Sequence, residues 1–206
     1  MTDGREPSRK ALLEQFQVTS AFDLLGKEFD ELQFLLDPIL PSVGLAMLAG
    51  PPKAGKSWFC LDIAQKLTDD GCDVYYIAAE DNSRRIKGRL QQKKFKFPLR
   101  LKIHAGLSQS HPVPRGRDAI RYIEEIYEKH KPDCIMIDTV ASVLQPTANI
   151  KNYDVTVQEY ETLRKLATDL GIAILVVHHK KNKQITRRHP SNKYWAVPVL
   201  RPLSRH

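Results

Sequence analysis

Four short apolar runs punctuate the chain: Gly44-Leu45-Ala46-Met47-Leu48-Ala49, Val74-Tyr75-Tyr76-Ile77-Ala78-Ala79, Cys134-Ile135-Met136-Ile137 and Ile172-Ala173-Ile174-Leu175-Val176-Val177. Short runs without polar alternation predict strands covered on both faces. Leu99-Arg100-Leu101-Lys102-Ile103-His104 instead alternates apolar with basic residues, as a half-exposed strand does. Between the runs, apolar residues return every three or four positions. Phe59, Ile63 and Leu67 mark one helix, stopped at Gly71. Ile86 and Leu90 mark a second, capped by Asn82 or Ser83 and running to about Lys94. Ile120, Ile123, Ile126 and Tyr127 mark a third, ending before Pro132. A fourth runs from Tyr153 to Leu170, with Val157, Tyr160, Leu163, Leu166, Ala167 and Leu170 inward and Gly171 closing it. Buried strands alternating with helices predict an α/β fold of three layers around a mainly parallel sheet.

The same pattern divides the chain. Residues 1–33 read as an N-terminal helical segment, with a short helix from Arg9 to Phe16 presenting Ala11, Leu12 and Phe16 on one face. Residues 34–179 hold the strand–helix alternation and form the core. The stretch Phe34–Ser42 contains Pro38 and Pro41, cannot be helical, and is expected to be a loop leading into the core. From Lys180 to His206 the periodicity stops and basic residues mix with Pro190, Pro198 and Pro202, the composition of a disordered or extended arm.

Charge changes the picture less than its total suggests. The formal net charge is +8, but residues 180–206 carry eight Lys or Arg and no Asp or Glu. The body is therefore balanced, and its charge is no argument that it grips a nucleic-acid backbone. No apolar stretch approaches the roughly 20 residues of a bilayer span, and the polar start Met1-Thr2-Asp3-Gly4-Arg5-Glu6 lacks a signal-peptide core. Cys60, Cys72 and Cys134 are widely spaced among apolar neighbours and form neither a disulfide nor a zinc pattern. Together these features predict a cytoplasmic protein with no membrane partner.

The first apolar run ends in Gly50-Pro51-Pro52-Lys53-Ala54-Gly55-Lys56-Ser57. Two glycines four residues apart, followed by Lys and Ser, fit the loop that cradles phosphates, set here between a strand and a helix. The glycines let the backbone wrap an anion, and the helix N-terminus directs N–H groups at it. Lys56 is expected at the β- and γ-phosphates and the Ser57 hydroxyl on Mg²⁺. Trp58, just inside the helix, adjoins these nucleotide contacts, although its ring reads as packing rather than base stacking. The expected ligand is a nucleoside triphosphate.

In a parallel sheet, ligands gather beyond the carboxyl ends of the strands. Three such ends finish in polar groups. Glu80 follows the second run and suits the carboxylate that positions or deprotonates attacking water. Its neighbour Asp81 suits a helix cap. Asp138 ends the third run and suits a magnesium ligand, with Thr139 and Ser142 close by. His178-His179 ends the fourth. Adjacent strand residues face opposite sides, so one histidine alone can sense the γ-phosphate. Arg84, Arg85 and Arg89 follow Glu80-Asp81 on a helix whose charged face is equally consistent with solvation.

The ordered set Gly50–Ser57, Ala78-Ala79-Glu80-Asp81, Ile135-Met136-Ile137-Asp138 and Val176-Val177-His178-His179-Lys180-Lys181 resembles the RecA-like ATPases of the RepA type, which include plasmid hexameric replicative helicases. The resemblance covers about residues 34–181. It implies a RecA core that hydrolyses ATP with Mg²⁺, with Lys56 and Ser57 as the phosphate-loop pair, Glu80 as catalytic carboxylate, Asp138 as magnesium aspartate and His179 at the γ-phosphate sensor position. It also implies a homo-oligomer, a hexamer in the helicase members, and single-stranded DNA as a partner. Family members continue after this point with further strands and a subunit-bridging arginine. Residues 180–206 match none of that and resemble a truncated or frame-altered end. A nucleotide-binding module without turnover and a small-molecule phosphotransferase share the loop; the helix carrying Arg84–Arg89 follows a core strand too closely to be the phosphotransferase's mobile lid.

Overall fold

A serine sets the first turn among the described residues. Ser20 accepts a hydrogen bond from the Asp23 amide at 3.1 Å and caps helix α1 (Ala21–Leu25), which buries none of its residues. The computed structural model describes residues 19–96, 98–107, 111–144 and 153–179. The helix expected at Arg9–Phe16 and the arm expected at 180–206 lie outside them.

The stretch expected to be a loop is a small antiparallel hairpin, β1 (Phe34–Leu36) with β2 (Leu40–Pro41). Proline excludes helix but is tolerated on a strand with no second neighbour, and this sheet has only two strands. The main sheet then begins. β3 (Gly44–Gly50) leads into α2 (Lys56–Asp69), β4 (Val74–Ala78), α3 (Ser83–Lys93), β5 (Leu101–Ala105) and α4 (Arg117–His130). β6 (Cys134–Asp138), a one-turn helix α5 (Val140–Val143), α6 (Tyr153–Leu170) and β7 (Ala173–His179) complete the described chain. The five strands run parallel in the order β3-β7-β6-β4-β5.

Alternate strand residues feed two separate cores, as the pleat requires. On one face Ile77, Ile135, Ile137, Ile174 and Val176 pack with Ile123, Ile126, Val143, Leu163 and Ala167 from α4, α5 and α6. On the other, Tyr76, Ala78, Met136, Leu175 and Val177 pack with Leu61, Ala64, Leu67 and Ile86 from α2 and α3. The three layers are those the alternation implied. Phe59, expected inward, is 43% exposed; the inward stripe of α2 runs instead through Cys60, Ile63, Ala64 and Leu67.

The register brings the strand ends level. Gly50 sits opposite His179, Ile137 opposite Val176, and Ala78 opposite both Asp138 and Ala105. Gly106 makes room at this rim. Its amide donates to the Ala78 carbonyl at 2.8 Å, and a Cβ there would lie 2.5 Å from the Ala79 carbonyl oxygen. Only glycine lets the end of β5 approach the backbone that carries Glu80. No helix among the described residues is long and apolar enough to cross a membrane.

Candidate active site

The loop after β3 turns into α2 through Gly55, whose φ of +83° is left-handed and favours glycine. No side chain among the described residues caps this helix, which leaves its first N–H groups for an external acceptor. Lys56 is 7% exposed. Its Nζ donates to the carbonyl oxygens of Gly50 at 3.0 Å and Pro51 at 2.7 Å. Two neutral carbonyls solvate this buried ammonium without cancelling its charge, which leaves a cation inside the loop for an anion to neutralise.

Asp138, at the end of β6, is 6% exposed. Its Oδ2 accepts the hydroxyl of Tyr76, a fully buried residue of β4, at 2.7 Å. Burial, then the charge and hydrogen bond of Asp138, push the Tyr76 phenol far up, so it remains a donor at every working pH. Burial followed by the Asp138 charge also pushes the Cys60 thiol up to about 12, against the opposing pull of Lys56. The first turn of α2 thus lies within the fields of both charges.

Glu80 follows β4, whose end is tied to β6 by the Ala79 amide donating to the Asp138 carbonyl at 2.7 Å. Its Oε1 accepts from Thr139 Oγ1 at 2.5 Å and from Ser142 Oγ at 2.6 Å. Its Oε2 lies 3.8 Å from His179 Nε2. Burial raises the carboxyl pKa, but the Ser142 and Thr139 hydrogen bonds, helped by His179 and Lys56, outweigh it and hold the group below the ordinary carboxylate value. The two histidines divide as the pleat requires. His178 Nδ1 meets Tyr160 Oη of α6 at 3.0 Å, whereas His179 stands on the Glu80 side. The Nδ1 of His179 is buried and has no hydrogen-bond partner among the described residues.

The family model described as an AAA domain matches residues 9–184. The chain belongs to this AAA domain family. Among solved structures, this AAA domain is similar to the KaiC-like protein PH0186 from the hyperthermophilic archaeon Pyrococcus horikoshii OT3, at 16% identity and a TM-score of 0.51. The likeness covers 68% of this chain and 63% of the archaeal one, less than two thirds of the latter, and at that identity it shows the fold. No curated protein matches the sequence. Fold and family together support an ATP-binding RecA-like domain of the phosphate-loop ATPase type.

Within the AAA domain, one cleft of about 240 Å³ is lined by Lys53, Gly55, Lys56, Ser57, Trp58, Arg89 and His179. It therefore joins the expected loop residues and His179, with Pro51, Pro52 and Ala54 in the exposed turn beside them. Asp138 and Glu80 belong to the same sheet rim through their backbone and hydroxyl partners. Asp81 does not cap a helix; Asn82 does, its Oδ1 accepting the Arg85 amide at 2.9 Å. Asp81 is instead buried and paired with Arg85 and Arg89. Trp58 is 36% exposed, with Arg89 and Lys93 each 5.7 Å from its ring centroid. Tyr76 is the residue sequence reasoning missed beside the candidate site, and Arg89 one it left open between solvated charge and function. Tyr76 reads as core from its run, and no local spacing ties it to Asp138. For Arg89 a signal existed: Asp81, Arg85 and Arg89 recur at helical intervals.

Proposed function

We propose that this domain binds ATP in the loop Gly50–Ser57 and hydrolyses it, as a RecA-like ATPase of the RepA hexameric helicase type acting in DNA replication or recombination. The observation that carries the hydrolytic reading is the state of Glu80. Its Oε1 is anchored by two hydroxyls and its Oε2 is turned toward His179. A carboxylate fixed at one oxygen and held ionised can accept a proton from water at the other. Glu80 Oε2 is that acceptor. Lys56, buried in the adjoining loop, binds and orients the phosphates, and the N–H groups of the α2 terminus add to the same anion site. His179, on the Glu80 side of β7, senses the terminal phosphate through Nε2.

Ser57 and Asp138 are the residues that would hold magnesium. The fit rests on Asp138, a buried carboxylate at a strand end whose Oδ2 is already oriented by Tyr76. Bound there, magnesium would neutralise charge on the phosphate oxygens. Location in the cytoplasm, assembly into a homo-oligomer and stimulation by single-stranded DNA complete the reading. The deciding experiment is steady-state phosphate release with and without single-stranded DNA, in the wild type and in Glu80→Gln. The reading expects turnover in the wild type, a rise with DNA, and a loss of about 10²-fold or more in Glu80→Gln with ATP affinity retained. Near-normal turnover in Glu80→Gln would move the catalytic role elsewhere. Binding without turnover in the wild type would leave a passive nucleotide module.

A further inference from the structure

Two arginines share one carboxylate beside the phosphate loop. Asp81 Oδ1 accepts from Arg85 Nη1 at 2.8 Å, and Asp81 Oδ2 accepts from Arg89 Nη1 at 2.5 Å. The two cations differ in surroundings: the Arg85 side chain is 59% exposed and that of Arg89 17%. One buried carboxylate balances one cation, and water already solvates Arg85. Arg89 is desolvated in addition, which costs free energy unless a further acceptor meets it.

The setting of Arg89 says where that acceptor lies. Its guanidinium carbon is 5.7 Å from the Trp58 ring centroid, and Trp58 directly follows Ser57. With the carboxylate on one side and the indole on another, Arg89 lines the cleft together with Lys53, Lys56, Ser57 and His179. Among the described residues the cleft lining therefore carries Lys53, Lys56 and Arg89 and no carboxylate, with Asp81 behind Arg89 and Glu80 and Asp138 on the adjoining rim. A planar guanidinium offers five donors in a fork matched to phosphate, and Asp81 engages it at Nη1. Arg89 also stands on the helix that follows Glu80-Asp81 directly. His179, whose Nε2 lies 3.8 Å from Glu80 Oε2, lines the same cleft, so Arg89 faces the space between the loop and the Glu80 side of the rim, where the outer end of a polyphosphate would lie.

We propose that Arg89 is a phosphate ligand supplied by the same chain, its guanidinium fixed by Asp81 and Trp58 so that it grips the terminal phosphate of the nucleotide in the Gly50–Ser57 loop. This rests on the nucleotide reading given above and extends it. The domain distinguishes triphosphate from diphosphate before any neighbouring chain contributes a residue. Arg85, exposed and bonded to the other oxygen of Asp81, acts as the counter-charge that keeps the aspartate from retaining Arg89 as a closed pair.

The test is calorimetric titration of the full chain with a non-hydrolysable ATP analogue and, separately, with ADP, both with magnesium, in the wild type, Arg89→Ala, Arg89→Lys and Lys56→Ala. A lost charge-assisted hydrogen bond corresponds to about a tenfold or greater fall in affinity. That fall is expected for the triphosphate analogue in Arg89→Ala, with ADP affinity unchanged within about twofold. Arg89→Lys, which retains the ion pair with Asp81 but not the fork, is expected to fall between the two, and it carries the same comparison if Arg89→Ala does not fold. Equal losses for both nucleotides would make Arg89 a structural residue, and unchanged affinities would remove it from the site; either overturns the proposal. If Lys56→Ala binds as the wild type does, the loop reading itself falls and this inference with it.

Discussion

Glu80 Oε1 takes both hydroxyl hydrogen bonds, so Thr139 and Ser142 set the proton affinity of this carboxyl against the upward push of burial. Because its folded-state pKa is lowered, Glu80 is ionised throughout the neutral range and becomes protonated only as the pH falls below the ordinary carboxylate value. Its contribution to folding is likewise present above the unfolded-state pKa and lost as the pH falls through the folded one. In the proposed role, the same titration would set the acid limb of turnover. Replacing both donors, in Thr139→Val with Ser142→Ala, leaves burial unopposed by them, so the acid limb of phosphate release should move to higher pH. A limb that stays in place would mean that another group titrates. Asp138 has a comparable partner in Tyr76. Tyr76→Phe withdraws the hydroxyl from a buried carboxylate and should lower stability by about 1.5–3 kcal/mol, the range for a hydrogen bond to a charged group. Thermal unfolding measures that loss. The concentration of magnesium needed for turnover should rise in parallel, and an unchanged requirement would separate Asp138 from the metal.

At the scale of elements, the site depends on how closely β5 approaches the end of β4. Gly106→Ala would place a methyl group 2.5 Å from the Ala79 carbonyl oxygen and 2.6 Å from the Ala79 Cα. The clash is with backbone, not with a flexible side chain, so the Ala79–Glu80 peptide must move. A cost of about 1–3 kcal/mol, as for other overpacked positions, should accompany a fall in turnover larger than the fall in ATP affinity. Wild-type turnover in this variant would show that the placement of Glu80 tolerates the shift. Elements themselves were largely legible from periodicity. Tyr153–Leu170 forms over the expected residues, and the strands beginning at Gly44, Val74 and Cys134 start where their apolar runs start. The hairpin at residues 34–41 was not, because two prolines exclude helix without choosing between loop and edge strand. Partnerships between elements were illegible for a stronger reason. Glu80 and Ser142 are 62 residues apart, and the register of β4 on β6 alone makes them neighbours. Asp81 reads as a cap beside any helix start, yet Arg85 and Arg89 stand four and eight residues further on, so its pairing is local and was legible from that spacing.

The whole molecule gathers its polar strand ends at one rim of a five-stranded parallel sheet, with an apolar core on each face. That arrangement was recoverable from the order of motifs, since ligands in such sheets collect beyond the carboxyl ends of the strands. The net charge of +8 was a poor guide, because residues 180–206 carry the excess and the cations lining the cleft, Lys53, Lys56 and Arg89, are a few residues of the body. In the proposed role, light scattering with magnesium and ATP should give a multi-chain mass, for a hexamer six times the 23.5 kDa chain. A single-chain mass under those conditions would remove the helicase part of the reading and leave the nucleotide site intact. The proposed nucleotide site depends most on the Lys56 ammonium, buried and held by the carbonyls of its own loop. Calorimetric titration of magnesium-ATP into the wild type and Lys56→Ala tests it directly. Saturable one-to-one binding by the wild type and none measurable by Lys56→Ala is the expected result; equal affinity in the two proteins would contradict it.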